Sequence, residues 1–70
     1  MSVPSIWPQA DGNPVSCREK LKVLEENYVE LSQVMQDAFE DAVLMGVDAV
    51  AMRRLLNEMV ARLDCPKVTP

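Results

Sequence analysis

The residues of this chain that could do chemistry are two cysteines and a large set of carboxylates. Cys17 and Cys65 are its cysteines, and the 70 residues include no histidine. Without imidazole, neither a Cys-His nor a Ser-His catalytic pair can be assembled, and two cysteines are too few for a structural zinc site. We therefore expect no enzyme activity, and the sequence predicts no catalytic residue, cofactor or metal ligand.

Both thiols are expected to be free. Cys17 begins the first predicted helix and Cys65 follows the second, so that they lie roughly 18 Å apart along a pair of straight helices. A disulfide needs Cα atoms within about 7 Å. Free thiols are typical of the cytoplasm, and the first residues lack the basic and apolar regions of a secretory signal. At the start of a helix, Cys17 is either a thiol of lowered pKa or, as its apolar spacing favours, a small buried residue.

The charged side chains form an acidic face and two small basic clusters. The first predicted helix carries seven acids: Glu19, Glu25, Glu26, Glu30, Asp37, Glu40 and Asp41. We interpret them as a solvated helix face, and the alternatives are a divalent cation site or a surface for a basic partner. Arg18 and Lys22, and Arg53 and Arg54, are candidate contacts for a protein partner. The net charge of −4 argues against binding to nucleic acid or to an anionic membrane.

A heptad repeat of apolar residues predicts one long helix at about 17–45. Its members, which we call the seam, are spaced alternately by four and three residues: Cys17, Leu21, Leu24, Tyr28, Leu31, Met35, Ala38, Ala42 and Met45. Ser16 and Glu19 are predicted to form a capping box at the start of the helix, and Gly46 is predicted to end it.

A second, shorter helix is predicted at about 49–64. Asp48 is expected to cap its first turn, and Pro66 prevents its continuation. The short connection predicts an antiparallel helical hairpin. The fold class is therefore all-α, with an irregular N-terminal arm at 1–15, a helical hairpin domain at 16–65 and a C-terminal tail at 66–70.

The two predicted helices differ in length, and this difference leaves part of the seam uncovered. The long helix extends roughly 43 Å and the short one roughly 24 Å, so that the short helix reaches back only to about Leu31. Either the arm, through Ile6 and Trp7, folds back over the rest, or a second chain covers it in a dimeric four-helix bundle. The predicted self-association residues are Leu21, Leu24, Tyr28, Leu31 and Met35. Trp7 is accordingly either a latch on the helix or an anchor for a partner.

Residues 31–63 resemble the helical hairpins of small bacterial regulators. An acidic and aromatic helix end, a Gly-Val-Asp turn and an arginine-containing amphipathic helix are similar to the sporulation antikinase hairpin, which inhibits a histidine kinase. The hairpin of a small alphaproteobacterial nucleoid-associated protein is also similar, but its role needs a basic face that this acidic chain lacks. The resemblance covers under half of the chain and transfers no functional residue.

Together, these patterns predict a non-enzymatic protein–protein interaction module. The expected protein is a small bacterial regulator or adaptor that forms a homodimer and binds a larger protein through residues such as Trp7. The alternative is a structural accessory subunit of a larger assembly. No nucleic acid and no membrane is expected among its partners.

Overall fold

The computed structural model describes residues 3–67, and these residues form two α-helices and no β-strand. Helix α1 spans Arg18–Leu44 and helix α2 spans Ala49–Ala61. The predicted all-α helical hairpin is therefore confirmed. The chain divides into two compact units, Met1–Asp37 and Ala38–Pro70, and α1 contributes residues to each of them.

Helix α1 begins one residue later than the predicted capping box requires. The backbone N–H of Leu21 donates to the carbonyl oxygen of Cys17 at 2.9 Å, which is the first hydrogen bond of the helix. An N-cap residue is the one whose carbonyl accepts this first bond, so Cys17 is the N-cap and the prediction of Ser16 is wrong. The interpretation of Cys17 as a small buried residue is wrong for the same reason, because a capping side chain lies at the helix end, and here it is exposed.

Gly46 ends α1 as predicted. It adopts φ +102°, in the left-handed region that favours glycine. The N–H of Val47 donates to the carbonyl of Ala42 at 2.9 Å, and the N–H of Gly46 donates to that of Val43 at 3.0 Å. This pair of bonds is a Schellman motif, and it satisfies carbonyls that the end of the helix would leave without partners.

Asp48 caps α2 as predicted, but α2 ends three residues earlier than expected. The carboxylate of Asp48 accepts the N–H of Ala51 at 2.9 Å. At the other end, the N–H of Arg62 is shared between the carbonyls of Glu58 and Met59 at 3.2 Å each, a loosened last turn. Pro66 disfavours helical geometry only at Cys65, the residue before it, so the loosened turn ends the helix before that restriction applies. Of the predicted tail, residues 68–70 lie outside the described range.

Packing within residues 3–67 is shallow. Ala42, at 7% exposure, is the one buried residue of this part of the chain, and most of its large apolar side chains are exposed. In the first unit, the half-buried residues include Trp7, Val15 and Tyr28, and in the second unit they include Phe39 and Leu56. Helical hydrogen bonding and partial side-chain burial therefore hold each unit together, without an enclosed core.

Candidate protein-interaction surface

The arm contains no helix or strand among its described residues, but it is an ordered loop. The N–H of Val15 donates to the carbonyl of Trp7 at 2.8 Å, and the N–H of Gln9 donates to that of Asn13 at 2.8 Å. Gly12, at φ +91°, lies in the turn that the bond between Gln9 and Asn13 closes. The loop therefore brings Trp7 and Val15 together at the point where the chain enters α1.

Trp7 packs edge-on against Tyr28. Their ring centroids are 6.0 Å apart and their planes meet at 81°, a T-shaped arrangement that aromatic quadrupoles favour. The indole Nε1 is buried and has no hydrogen-bond partner among the described residues. The sequence leaves open whether the arm packs on the chain's own first helix or whether a second chain covers that helix. At Tyr28, the arm packs on the chain's own helix. The unpaired N–H offsets part of the stabilisation that this contact provides.

Two shallow apolar grooves follow α1 within the first unit. Groove A has a volume of about 400 Å³ and is lined by Val15, Glu19, Lys20, Val23 and Leu24. Groove B has a volume of about 390 Å³ and is lined by Asn27, Glu30, Leu31 and Val34. Val15 comes from the arm, so that folding of the arm completes groove A.

The predicted self-association residues differ in their exposure to solvent. Leu21, Leu24, Tyr28 and Met35 are half-buried, whereas Leu31 remains 60% exposed. They lie in one unit, along one side of α1, as the heptad spacing predicts. Whether they mediate self-association stays a prediction.

Sequence reasoning missed Val23, which with Val34 forms a second exposed apolar row on α1. Val23 is 55% exposed and lines groove A, and Val34 is 64% exposed and lines groove B with Leu31. The heptad pattern does not select Val23, because its position falls outside the alternation of four and three residues. Its spacing from Asn27 and Leu31 along the helix is the signal that could have identified it.

The second unit presents a separate apolar surface on α2. Leu55, Met59 and Leu63 follow one another at intervals of four residues and are all exposed, Leu63 lying just beyond the helix. We call these three residues the α2 face. A further groove of about 300 Å³ is lined by Phe39, Glu40, Val43 and Leu44.

The predicted partner-binding residues occur in both units. In the first, Arg18 and Lys22 are exposed on the first turns of α1. In the second, the guanidinium carbon of Arg53 lies 4.9 Å from the ring centroid of Phe39, a cation–π distance, while Arg54 is exposed. Arg53 therefore has a partner within its own unit, which the sequence does not predict.

The thiol of Cys17 is polarised by its position at the start of α1. The backbone N–H groups of Lys20 and Glu19 donate hydrogen bonds to its sulfur and lower the pKa of the thiol below its ordinary value. The nearby Lys20 charge acts in the same direction. Cys65 is also a free, exposed cysteine.

The acidic side chains show no arrangement of metal ligands in the part of the chain that the structure describes. No group of three or more His, Cys, Asp or Glu side chains comes together there in a way that would hold a metal ion. Asp37 accepts a hydrogen bond from the side chain of Gln33 at 2.9 Å, a contact along the helix surface. What the described residues offer is therefore apolar surface bordered by charge.

Comparison of the chain with protein-family models, curated proteins and solved structures gives no match. Between residues 3 and 67, neither helix combines the length and the apolar character that crossing a lipid bilayer requires.

Proposed function

We propose that this chain is a non-enzymatic protein–protein interaction module, a small bacterial regulator or adaptor that works in the cytoplasm. The observation that carries the proposal is the exposure of apolar side chains in ordered helices. On the α2 face, Leu55, Met59 and Leu63 are 50%, 64% and 76% exposed. Leu55 and Met59 lie one turn apart within α2, and Leu63 follows its end. An amphipathic helix that leaves such residues uncovered has the form of a helix that binds a groove or another helix through anchors at i and i+4.

The charges around this surface favour a protein partner over a nucleic acid. The chain carries 11 acidic and 7 basic residues, so a phosphate backbone would be repelled overall. Arg54, on α2 in the same unit as the α2 face, supplies local positive charge suited to carboxylates of a partner. Arg18 and Lys22 supply positive charge in the first unit, as a separate candidate contact. The partner of this proposal is thus a protein with an apolar contact site and acidic residues at its rim.

Site-specific cross-linking in the native cell tests the proposal. A photoreactive amino acid replaces Met59, on the α2 face. In a matched control it replaces Asn57, which is also exposed but lies about 160° around the helix from Met59. We expect a discrete cross-linked product with a different protein from position 59 and at least about fivefold less from position 57. Equal products from both positions, or none from either, would overturn the proposal.

A structural accessory subunit is the second candidate function, and the shallow packing favours it. With Ala42 as the one buried residue of the described chain, folding that depends on a host assembly is physically reasonable. Circular dichroism and sedimentation of the purified chain separate the two candidates. A regulator is helical and of defined mass when it is alone, whereas an accessory subunit is unfolded or aggregated until its host is supplied.

A further inference from the structure

One face of α1 is spaced symmetrically about Asn27. Val23 and Leu31 lie four residues on either side of Asn27, and Lys20 and Val34 lie seven residues on either side. All five belong to the same helix, in which residues separated by four and seven positions share a face. We call these five residues the Asn27 face.

The two grooves of the first unit follow one another along this face. Groove A includes Lys20, Val23 and Leu24, before Asn27, and groove B includes Asn27 itself with Glu30, Leu31 and Val34 after it. The four residues that line groove B occur at positions i, i+3, i+4 and i+7, which is the arrangement of a hole in knobs-into-holes packing.

We propose that the Asn27 face binds a second copy of this chain, with the two α1 helices antiparallel and the two-fold axis at Asn27. In this arrangement groove A of each copy faces groove B of the other. Val23 enters groove B beside the partner's Leu31, and Leu31 enters groove A beside the partner's Val23. The two Asn27 side chains meet at the axis, where a polar residue on an apolar face fixes the register of paired helices.

The apolar residues on both sides of Asn27 and the charges beside them favour a second copy as the occupant. An interface with two-fold symmetry requires that residue i contacts j while j contacts i, and here the exposed Val23, before Asn27, faces the exposed Leu31, after it. The antiparallel direction also separates like charges. Each Lys20 then lies opposite the partner's Val34, between the turns that carry Glu30 and Asp37, whereas a parallel pair would place Lys20 beside Lys20.

The contact uses side chains that the folded unit leaves free. Val23, Leu31 and Val34 remain at least half exposed, and the arm, which covers Tyr28, adds Val15 to groove A. The inference rests on the proposed function and deepens it, because it assigns self-association to a face separate from the α2 face. It also moves self-association from the half-buried seam to the row beside it, with Leu31 common to both.

Disulfide trapping tests the register and the direction of the pair. In a background in which Cys17 and Cys65 are serine, Asn27→Cys places two thiols at the two-fold axis, and we expect mild oxidation to convert it to a covalent dimer. The matched control is Val34→Cys, whose two thiols are separated by about 21 Å along an antiparallel pair and should stay reduced. Failure of Asn27→Cys to cross-link, or equal cross-linking of Val34→Cys, would overturn the inference.

Sedimentation equilibrium of the full chain and of two point variants tests the face itself. The unaltered chain is expected to be a dimer. Leu31→Asp should weaken association by at least about 100-fold, because it buries a carboxylate in the contact. Val29 is 55% exposed and lies about 160° around the helix from Leu31. Val29→Asp should therefore change the association constant by less than about threefold. Far-UV circular dichroism checks that both variants stay helical.

The outcomes separate this inference from the proposed function. A chain that sediments as a monomer, or a dimer that Val29→Asp disrupts as strongly as Leu31→Asp, overturns the Asn27 face. Neither result alters the hetero-protein cross-link at Met59, which decides the proposed function independently.

Discussion

Replacement of Trp7 tests how the arm is held against α1, and two substitutions distinguish the ring from its N–H group. Trp7→Ala removes a half-buried indole that packs edge-on against Tyr28 at 6.0 Å. Trp7→Phe keeps an aromatic ring there but removes the buried N–H that has no partner among the described residues. We expect the alanine variant to be destabilised and the phenylalanine variant to be at least as stable as the unaltered chain.

The expected magnitude follows from the partial burial of the ring. Truncation of a fully buried tryptophan to alanine costs about 3–5 kcal/mol, and a half-buried one about half of that. Removal of the unpaired indole N–H returns part of this cost, so the net loss for Trp7→Ala is about 1–2 kcal/mol. In a chain of this size, that loss lowers Tm by about 5–15 °C.

Thermal unfolding followed by circular dichroism measures these effects. The control is Ile6→Ala, which alters the neighbouring apolar side chain at 63% exposure and should change stability by less than about 0.5 kcal/mol. A double-mutant cycle with Tyr28→Ala should return a coupling of about 0.5–1.5 kcal/mol between the two rings. Unchanged stability of Trp7→Ala, or a loss in Trp7→Phe as large as that in Trp7→Ala, would refute the reasoning.

Three further predictions concern the ends of the helices. Asp48→Ala removes the carboxylate that accepts the N–H of Ala51 and should destabilise the chain by about 1 kcal/mol in urea unfolding, whereas Asp48→Ser should recover most of the loss. Gly46→Ala, at φ +102°, should cost about 1–2 kcal/mol in the same assay although nothing lies in the way of the added methyl group, so a neutral result would contradict a left-handed turn. In a Cys65→Ser chain, Cys17 should be alkylated by iodoacetamide with a pH midpoint below that of N-acetylcysteine, because its lowered pKa keeps more thiolate at lower pH. A midpoint at or above that of N-acetylcysteine would count against the N-cap geometry.

The parts of this fold that the sequence predicts well are those decided by local chemistry. Gly46 and Asp48 act within one turn of their own positions, and the structure confirms both roles. The start of α1 is decided just as locally, but two neighbouring residues, Ser16 and Cys17, compete for it. Serine is the more favourable N-cap residue, but the helix begins one residue later, with Cys17 as its N-cap.

The parts that the sequence does not decide depend on contacts between distant residues. Trp7 and Tyr28 lie 21 residues apart, and the apolar pattern of the arm leaves open whether Trp7 meets α1 or another chain. The hydrogen bonds around Gly12 and Asn13 decide it, because they turn the arm back towards the helix. Turn residues are recognisable in a sequence, but the direction in which a loop delivers its large side chain is a tertiary property.

The arm also links the two rows of apolar side chains on α1, and this link bears on the proposed self-association. Through Trp7 the arm covers Tyr28 in the seam, and through Val15 it completes groove A beside Val23. One loop, closed by the hydrogen bond from Val15 to Trp7, therefore shields one row and shapes the other. Because a surface that is formed by folding binds only in the folded state, we expect docking of the arm and the proposed pairing of the Asn27 face to stabilise each other by linkage.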